Sequence, residues 1–279
     1  MDVQTIYLVT ALMAVGAAAG FSAGLFGIGG GTIIVPALYY TFSALGYPSE
    51  VIMHAAVATS TAIIIVTSLR SASGHNKHDA VDWGMIWPKN KLVSWGVWIA
   101  IGSLLAAAVL AKHLSGEILT FIFGGMTSLI ALQLIFGRPD WRLANKVPLN
   151  AATPPIGFSL GALCSLMGIG FGSFGVTFMV LCGKRIHSAI GTAAALGIFI
   201  SIPATIGFII SGQGVAGRPP LSLGYVNLLG FALIASMSFM FIPLGVRTAH
   251  KMQQDKLRMA FGICLLLVAL NMLRKVMLP

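Results

Sequence analysis

The sequence predicts an all-α polytopic membrane protein of two inverted-topology repeats, each a glycine-broken, re-entrant-like helical hairpin followed by three transmembrane helices. Three observations carry that reading. Over 279 residues the chain is 57% hydrophobic and 9% charged, whereas soluble globular domains average roughly 25% charged. A glycine-rich break, Gly27-Ile28-Gly29-Gly30-Gly31-Thr32, interrupts the first apolar run, and a second, Gly168-Ile169-Gly170-Phe171-Gly172-Ser173, interrupts a later one. The basic residues fall in short loops whose alternation closes only if the two halves enter the membrane from opposite faces.

Residues 5–25 form the first apolar segment. Only Asp2 precedes it, with no basic stretch and no small-residue cleavage site, so it reads as a membrane segment and not as a removed signal. Several glycines together end a helix, because each costs about 1 kcal/mol relative to alanine in a helix interior. A shorter apolar piece, 32–45, then begins at Thr32, a residue type that caps helix N-termini well. The turn Gly46-Tyr47-Pro48-Ser49-Glu50 leads into a span at 51–69 that stops at Arg70. Residues 71–91 read as the longest polar loop, and uncharged runs at 92–111 and 118–136 each supply the ~20 residues a bilayer requires.

The polar stretch around Arg138, Asp140, Arg142 and Lys146 divides the chain. Residues 1–137 form the first repeat, 138–152 a cytoplasmic linker and 153–279 the second repeat, all within one membrane domain. After Pro154-Pro155 only about a dozen apolar residues precede the second break and about ten follow it. At 1.5 Å per residue such pieces reach about 15–18 Å, half a bilayer. Spans at 187–211, 222–246 and 257–274 complete the chain, with Pro203 and Pro243 as expected kink points.

The duplication is visible in register. Gly20, Leu25, Gly27, Ile28, Gly29 and Gly31 recur 141 positions later as Gly161, Leu166, Gly168, Ile169, Gly170 and Gly172. His54, Ala56, Thr59 and Ala62 recur 133 positions later as His187, Ala189, Thr192 and Ala195. Phe123, Gly124, Leu129 and Leu132 recur as Phe261, Gly262, Leu267 and Leu270. Basic loops at 70–91, 138–146, 184–185 and 247–258 belong in the cytoplasm, which leaves the N-terminus outside. The net charge of +10 is explained by these loops, and no nucleic-acid partner is expected.

Broken helices at matching positions of two halves point to a transporter's binding site. With hairpins inserted from opposite faces, the helices starting at Thr32 and Ser173 aim their N–H groups and positive dipole ends at one shared point, a site for an anion. The candidate substrate-binding residues are therefore Gly27, Gly29, Gly30, Gly31 and Thr32 with Gly168, Gly170, Gly172 and Ser173. Thr59, Ser60 and Thr61 on the following span, and Thr192 on its mate, are expected to line the same cavity. His54 and His187, off the threonine face, are candidate gating or protonation sites. No Asp or Glu falls within a confident span, so a carboxylate relay is not expected.

Cys164, Cys182 and Cys264 all lie in apolar runs with no metal spacing, and Cys164 aligns with Ala23, so they read as small structural residues. No cofactor is expected. A hydrolase built on Ser173 and His187 is disfavoured, because the spacing and glycine placement do not match an intramembrane serine protease and no oxyanion partner is evident.

Several stretches together resemble the sulfite exporter TauE/SafE family of membrane permeases. They are Gly24-Leu25-Phe26-Gly27-Ile28-Gly29-Gly30-Gly31 with Pro36, then His54-Ala55-Ala56-Val57-Ala58-Thr59-Ser60, Val81-Asp82-Trp83, and Ser222-Leu223-Gly224-Tyr225-Val226-Asn227. They cover almost the full length in the family's order. The resemblance implies movement of small sulfur-containing anions such as sulfite, thiosulfate or organosulfonates across the inner membrane of a bacterium, with membrane lipid the only other expected partner. Where the family pattern has glycine before the Thr-Ser pair, this chain has Ala58 and keeps Gly191 only in the second half; Phe171 replaces the middle glycine of the second break. Both changes are expected to narrow the cavity. The rival readings are an anion channel of the same architecture and a membrane scaffold assisting a partner complex.

Overall fold

In the computed structural model, residues 3–27, 29–137, 143–249, 251 and 254–277 are described. Ile28 and the linker residues Arg138, Asp140 and Arg142 lie outside them, as does the side chain of Cys264. The chain is almost wholly helical: α1 Val3–Phe26, α2 Gly31–Ala44, α3 Ser49–Asn76, a short α4 Trp83–Ile86, α5 Trp95–His113, α6 Gly116–Phe136, α7 Thr153–Met167, α8 Gly172–Leu181 and α9 Ile186–Ser211. A two-residue hairpin, β1 Ser222–Leu223 with β2 Val226–Asn227, then leads into α10 Leu228–Ala249 and α11 Gln254–Met277. Six helices among the described residues are long and apolar enough to cross a membrane: α1, α3, α5, α6, α9 and α10.

Three boundaries differ from the sequence reading. α3 continues past Arg70 to Asn76, so the start of the expected polar loop is helix. Its polar residues Ser71 and His75 are buried against α1, and tertiary contacts override the charge at Arg70, whose guanidinium lies over the Phe239 ring at 4.7 Å. The span expected from 222 begins instead at Leu228, because Ser222–Asn227 pairs with itself as the hairpin. Thr32 is not a helix cap. Gly30, at φ 78°, takes that position, in a left-handed conformation that a glycine adopts without strain.

The hairpins are unequal. α1 has 24 residues, about 36 Å of helix, enough to cross a bilayer, whereas α7 has 15 and α8 only 10.

Glycines set the helix crossings. Gly16, Gly20 and Gly24 step along α1 against Ile234, Ser238 and Ile242 of α10, so these helices run parallel; Ser238 Oγ donates to Gly16 O at 2.8 Å. Such small-residue faces let backbones approach where lipid supplies no hydrophobic drive. On the other side, Gly102 of α5 abuts the Phe158 carbonyl of α7 and Gly161 of α7 abuts Ile99 of α5. Each half's leading helix thus packs on a helix of the other half. The helices matched in sequence also pair with each other: α3 with α9, through Thr61 with Thr205 and Ser68 with Gly197, and α6 with α11, through Gly124 with Ala269 and Ala131 with Gly262. In both pairs the register runs antiparallel.

Candidate functional site

The two glycine breaks touch. A Cβ on Gly31 would overlap the Gly168 carbonyl oxygen, and one on Gly29 would lie 3.4 Å from Gly170 Cα. The contacts around them are exchanged between halves. A Cβ on Gly27 would meet Ile190 O of α9 at 2.6 Å, and one on Gly168 would meet Val57 O of α3 at 3.0 Å; Val57 and Ile190 are the same position of the two repeats. All the break glycines with described surroundings are buried.

Helices α2 and α8 start at this junction without a side-chain cap. An uncapped helix start presents backbone N–H groups and a positive dipole end. Thr32 (1% exposed) and Ser173 (6% exposed) stand in the first turns of these helices, and among the described residues neither hydroxyl has a hydrogen-bond partner. A buried polar group left unpaired carries a desolvation cost of about 1–3 kcal/mol. Two of them at matched positions on either side of one glycine junction form a recognisable pair. Thr127 of α6 is a third such hydroxyl.

The second break is built differently from the first. Gly30 is replaced by Phe171, which takes ordinary helical dihedrals (φ −63°), and α8 opens with a widened turn, Gly172–Val176, in which Gly175 N donates to Phe171 O at 2.6 Å. The Phe171 ring rests on the bare face of Gly175 and joins a core cluster with Trp95, Ile99 and Cys164.

Ser60 and Thr67 on α3 hold both breaks: Ser60 Oγ donates to Gly168 O at 2.8 Å and Thr67 Oγ1 to Gly29 O at 2.9 Å. Ser71 Oγ donates to Ala23 O at 3.1 Å, and His75 Nε2 lies 2.9 Å from Gly24 O. Thr67, Ser71 and His75, four residues apart, thus line one edge of α3 and serve carbonyls at the end of α1 and in the break that follows it. This ladder was missed in the sequence because 71–75 read as loop; its four-residue spacing was the signal.

Thr59 and Thr192 do a different job from Ser60. Thr59 Oγ1 accepts from Asn227 N at 2.9 Å, and Thr192 Oγ1 accepts from Asp82 N at 3.0 Å. Asn227 Oδ1 in turn accepts from Gly230 N at 2.8 Å, and Asp82 Oδ1 accepts from Met85 N at 3.0 Å, each capping the helix that follows. The threonine of each half therefore grips the capping residue of the other half. Thr61 donates to Ala58 O within its own helix. Gly191 lets the Ala80 carbonyl approach α9 closely, and Ala58, its counterpart, is fully buried.

The histidines occupy unlike surroundings. His54 is buried, its ring nitrogens each 3.0 Å from a carbonyl oxygen, of Glu50 and of Ala111, and it stacks on Tyr225 with centroids 4.9 Å apart. His187 is exposed.

Asp82 also forms an ion pair with Lys184, so one inter-half grip carries charge and the other, at Asn227, is neutral. Burial raises the Asp82 pKa, but the hydrogen bond and charge of Lys184 with the N–H groups of Met85 and Gly84 outweigh it and hold the carboxyl below its ordinary 3.8.

A helical chain with six candidate membrane-crossing helices among its described residues, and polar groups gathered at broken helices, is a multi-pass integral membrane protein. The chain belongs to the sulfite exporter TauE/SafE family, whose model matches residues 12–272, and it is a membrane transporter. It is similar to a probable membrane transporter protein of Haemophilus influenzae, with 33% identity over 263 residues that cover 94% of this chain and 96% of that one. Probable membrane transporter proteins of Methanocaldococcus jannaschii (22% identity, 98% of each chain) and Bacillus subtilis (26%, covering 94% and 96%) are further relatives. No solved structure matches the chain significantly.

Proposed function

We propose that this transporter carries small sulfur-containing anions, of the size of sulfite, thiosulfate or a short organosulfonate, across the inner membrane of a bacterium by alternating access. The anion is held between the glycine breaks, by the first N–H groups of α2 and α8 and the hydroxyls of Thr32 and Ser173. The observation that carries this reading is the pair of buried, unpartnered hydroxyls beside the backbone contact of Gly31 with Gly168. Helix N-termini favour anions through their free donors and dipole. The glycines allow backbone approach. The family's description as sulfite exporters supports the substrate class.

The halves are read as inverted repeats. Antiparallel pairing of the matched helices α3 with α9 and α6 with α11 supports a two-fold axis perpendicular to them, in the membrane plane. The basic loops then face the cytoplasm and the N-terminus the outside. Motion of the hairpins against the remaining helices opens the junction to each side in turn. His54, stacked on the loop that Thr59 grips, is the histidine positioned to respond to that motion.

The test is uptake into proteoliposomes of sulfite, thiosulfate, sulfoacetate, sulfate and chloride, by wild type and by the Thr32→Val/Ser173→Ala double variant. Saturable uptake and counterflow of a sulfur oxyanion, lost in the variant, is the expected result. Flux without saturation or counterflow means a channel, uptake surviving in the variant moves the site elsewhere, and folded protein that moves no anion leaves the scaffold reading.

A further inference from the structure

A second polar cavity lies at the other end of α8, about 15 Å from Ser173 by the length of that helix. It is an open cleft of about 250 Å³ where three segments converge: the loop with Asp82 and Met85, the inter-repeat stretch with Lys146, and Cys182-Gly183-Lys184 at the end of the second hairpin. Nothing in the proposed transport site accounts for it.

Its charge is arranged in an unusual way. Lys146 is exposed at the cleft, whereas Lys184 is largely covered, with 15% of its side chain exposed, and its ammonium is taken by Asp82. The last carbonyls of α8 make no demand on either lysine. Cys182 N, Gly183 N and Lys184 N serve the carbonyls of Phe178, Val180 and Met179, and Leu143 N and Ala144 N serve that of Leu181. The cleft therefore holds two cations and one anion. The anion, Asp82, is 40% exposed and belongs to the residue whose N–H is gripped by Thr192 of the opposite half.

We propose that this cleft is a binding site for a small divalent oxyanion, which bridges Lys146 and Lys184, takes the Lys184 ammonium from Asp82, and so loosens the charged grip between the two halves. The inference rests on the transport reading above and adds to it a recruitment and trigger site on the face that carries the basic loops. Competition is feasible because partly exposed ion pairs are weak, and a doubly charged oxyanion between two lysines gains charge-assisted hydrogen bonds that the single carboxylate does not. Met85, whose Sδ lies 3.9 Å from Lys184 Nζ, closes one side of the cleft with apolar surface. The neutral grip at Asn227 and Thr59 has no such ion pair, so the trigger acts on one face of the protein only.

The test is titration of the purified full-length protein with sodium sulfate at constant ionic strength, read by calorimetry and by thermal stabilisation. It is run on wild type and in the Thr32→Val/Ser173→Ala background, whose substituted hydroxyls have no hydrogen-bond partner among the described residues. Sulfate is expected to bind in both. Lys146→Gln, a change at an exposed side chain, is expected to weaken binding about tenfold, as is Lys184→Gln. Asp82→Asn, which keeps the cap on Met85 and removes the competing charge, is expected to tighten it about fivefold. A merely structural role for the Asp82 pair gives the opposite sign. Loss of sulfate binding in the double-variant background, indifference to Lys146→Gln, weaker binding in Asp82→Asn, or equal stabilisation by chloride each overturns the proposal. None of these outcomes overturns the transport reading, which stands or falls on uptake.

Discussion

Gly29 and Gly170, the middle glycines of the two breaks, face each other across 3.4 Å, measured from Gly170 Cα to where a Cβ on Gly29 would stand. They occupy the same position in the two halves. On the proposed inverted-repeat reading, a residue that touches its own counterpart lies beside the axis relating the halves, which puts the junction of the breaks at the centre of the duplication. The neighbouring contact is tighter still, since Gly31 leaves no space for any side chain against Gly168 O.

That tightness sets the first prediction. Gly31→Ala forces apart two buried backbones that have no flexible side chain to yield, and overpacking of this kind costs about 1–3 kcal/mol. The variant should unfold at a lower temperature in detergent and lose transport. Gly125→Ala is the control: a Cβ there meets nothing within 4 Å, and a helical glycine-to-alanine change is neutral or stabilising by up to about 1 kcal/mol.

Two threonines of similar burial should respond in opposite ways to the same substitution. Thr67→Val strips Gly29 O of a donor inside the protein and should destabilise by about 1–3 kcal/mol. Thr32→Val breaks no hydrogen bond among the described residues and should leave the melting temperature unchanged or raised while reducing anion uptake. Parallel losses of stability would show that the Thr32 hydroxyl has a structural partner and no ligand role.

The grips at Thr59 and Thr192 predict independent losses of stability. Thr192→Val removes the acceptor of Asp82 N and should cost about 1 kcal/mol or more, as should Thr59→Val through Asn227. A double variant measured by thermal denaturation should show near-additive losses, since each grip is formed by different residues.

The pH dependence follows from Asp82. Its carboxyl is depressed in the folded protein, so its contribution is fully present above the ordinary value of 3.8 and is lost as pH falls through the folded value. The difference in melting temperature between wild type and Asp82→Asn should hold constant from about pH 8 to pH 5 and shrink only below about pH 4. It should be small throughout, because a pair this exposed is screened. A difference that collapses between pH 8 and 6 would assign the effect to another group.

Much of this architecture is legible in the sequence, because bilayer physics restricts the vocabulary. Apolar runs of about 20 residues and clustered glycines have few readings in a chain with so little charge. What escaped was tertiary. Arg70 marked the end of a span because a charge usually does, yet α3 continues with Ser71 and His75 turned inward to α1. Asp82 and Asn227 stood out only through the family resemblance, since nothing in spacing tells that a cap of one half sits on a threonine of the other. Thr59 and Ser60 are neighbours in sequence with unlike duties, one facing the hairpin loop and the other the break. Their division follows from the 100° between successive helical residues, which periodicity alone leaves unassigned until the partners are known.

The ladder of Thr67, Ser71 and His75 has a mechanical consequence. It welds the first hairpin to α3 at three successive turns, while the matched positions of α9 are Ile200, Ala204 and Phe208, none of which carries a hydroxyl or imidazole. Under the proposed alternating-access mechanism this asymmetry makes a stator and a lever: the first hairpin turns with α3, and the second, held to α3 by Ser60 at Gly168, is the arm that swings.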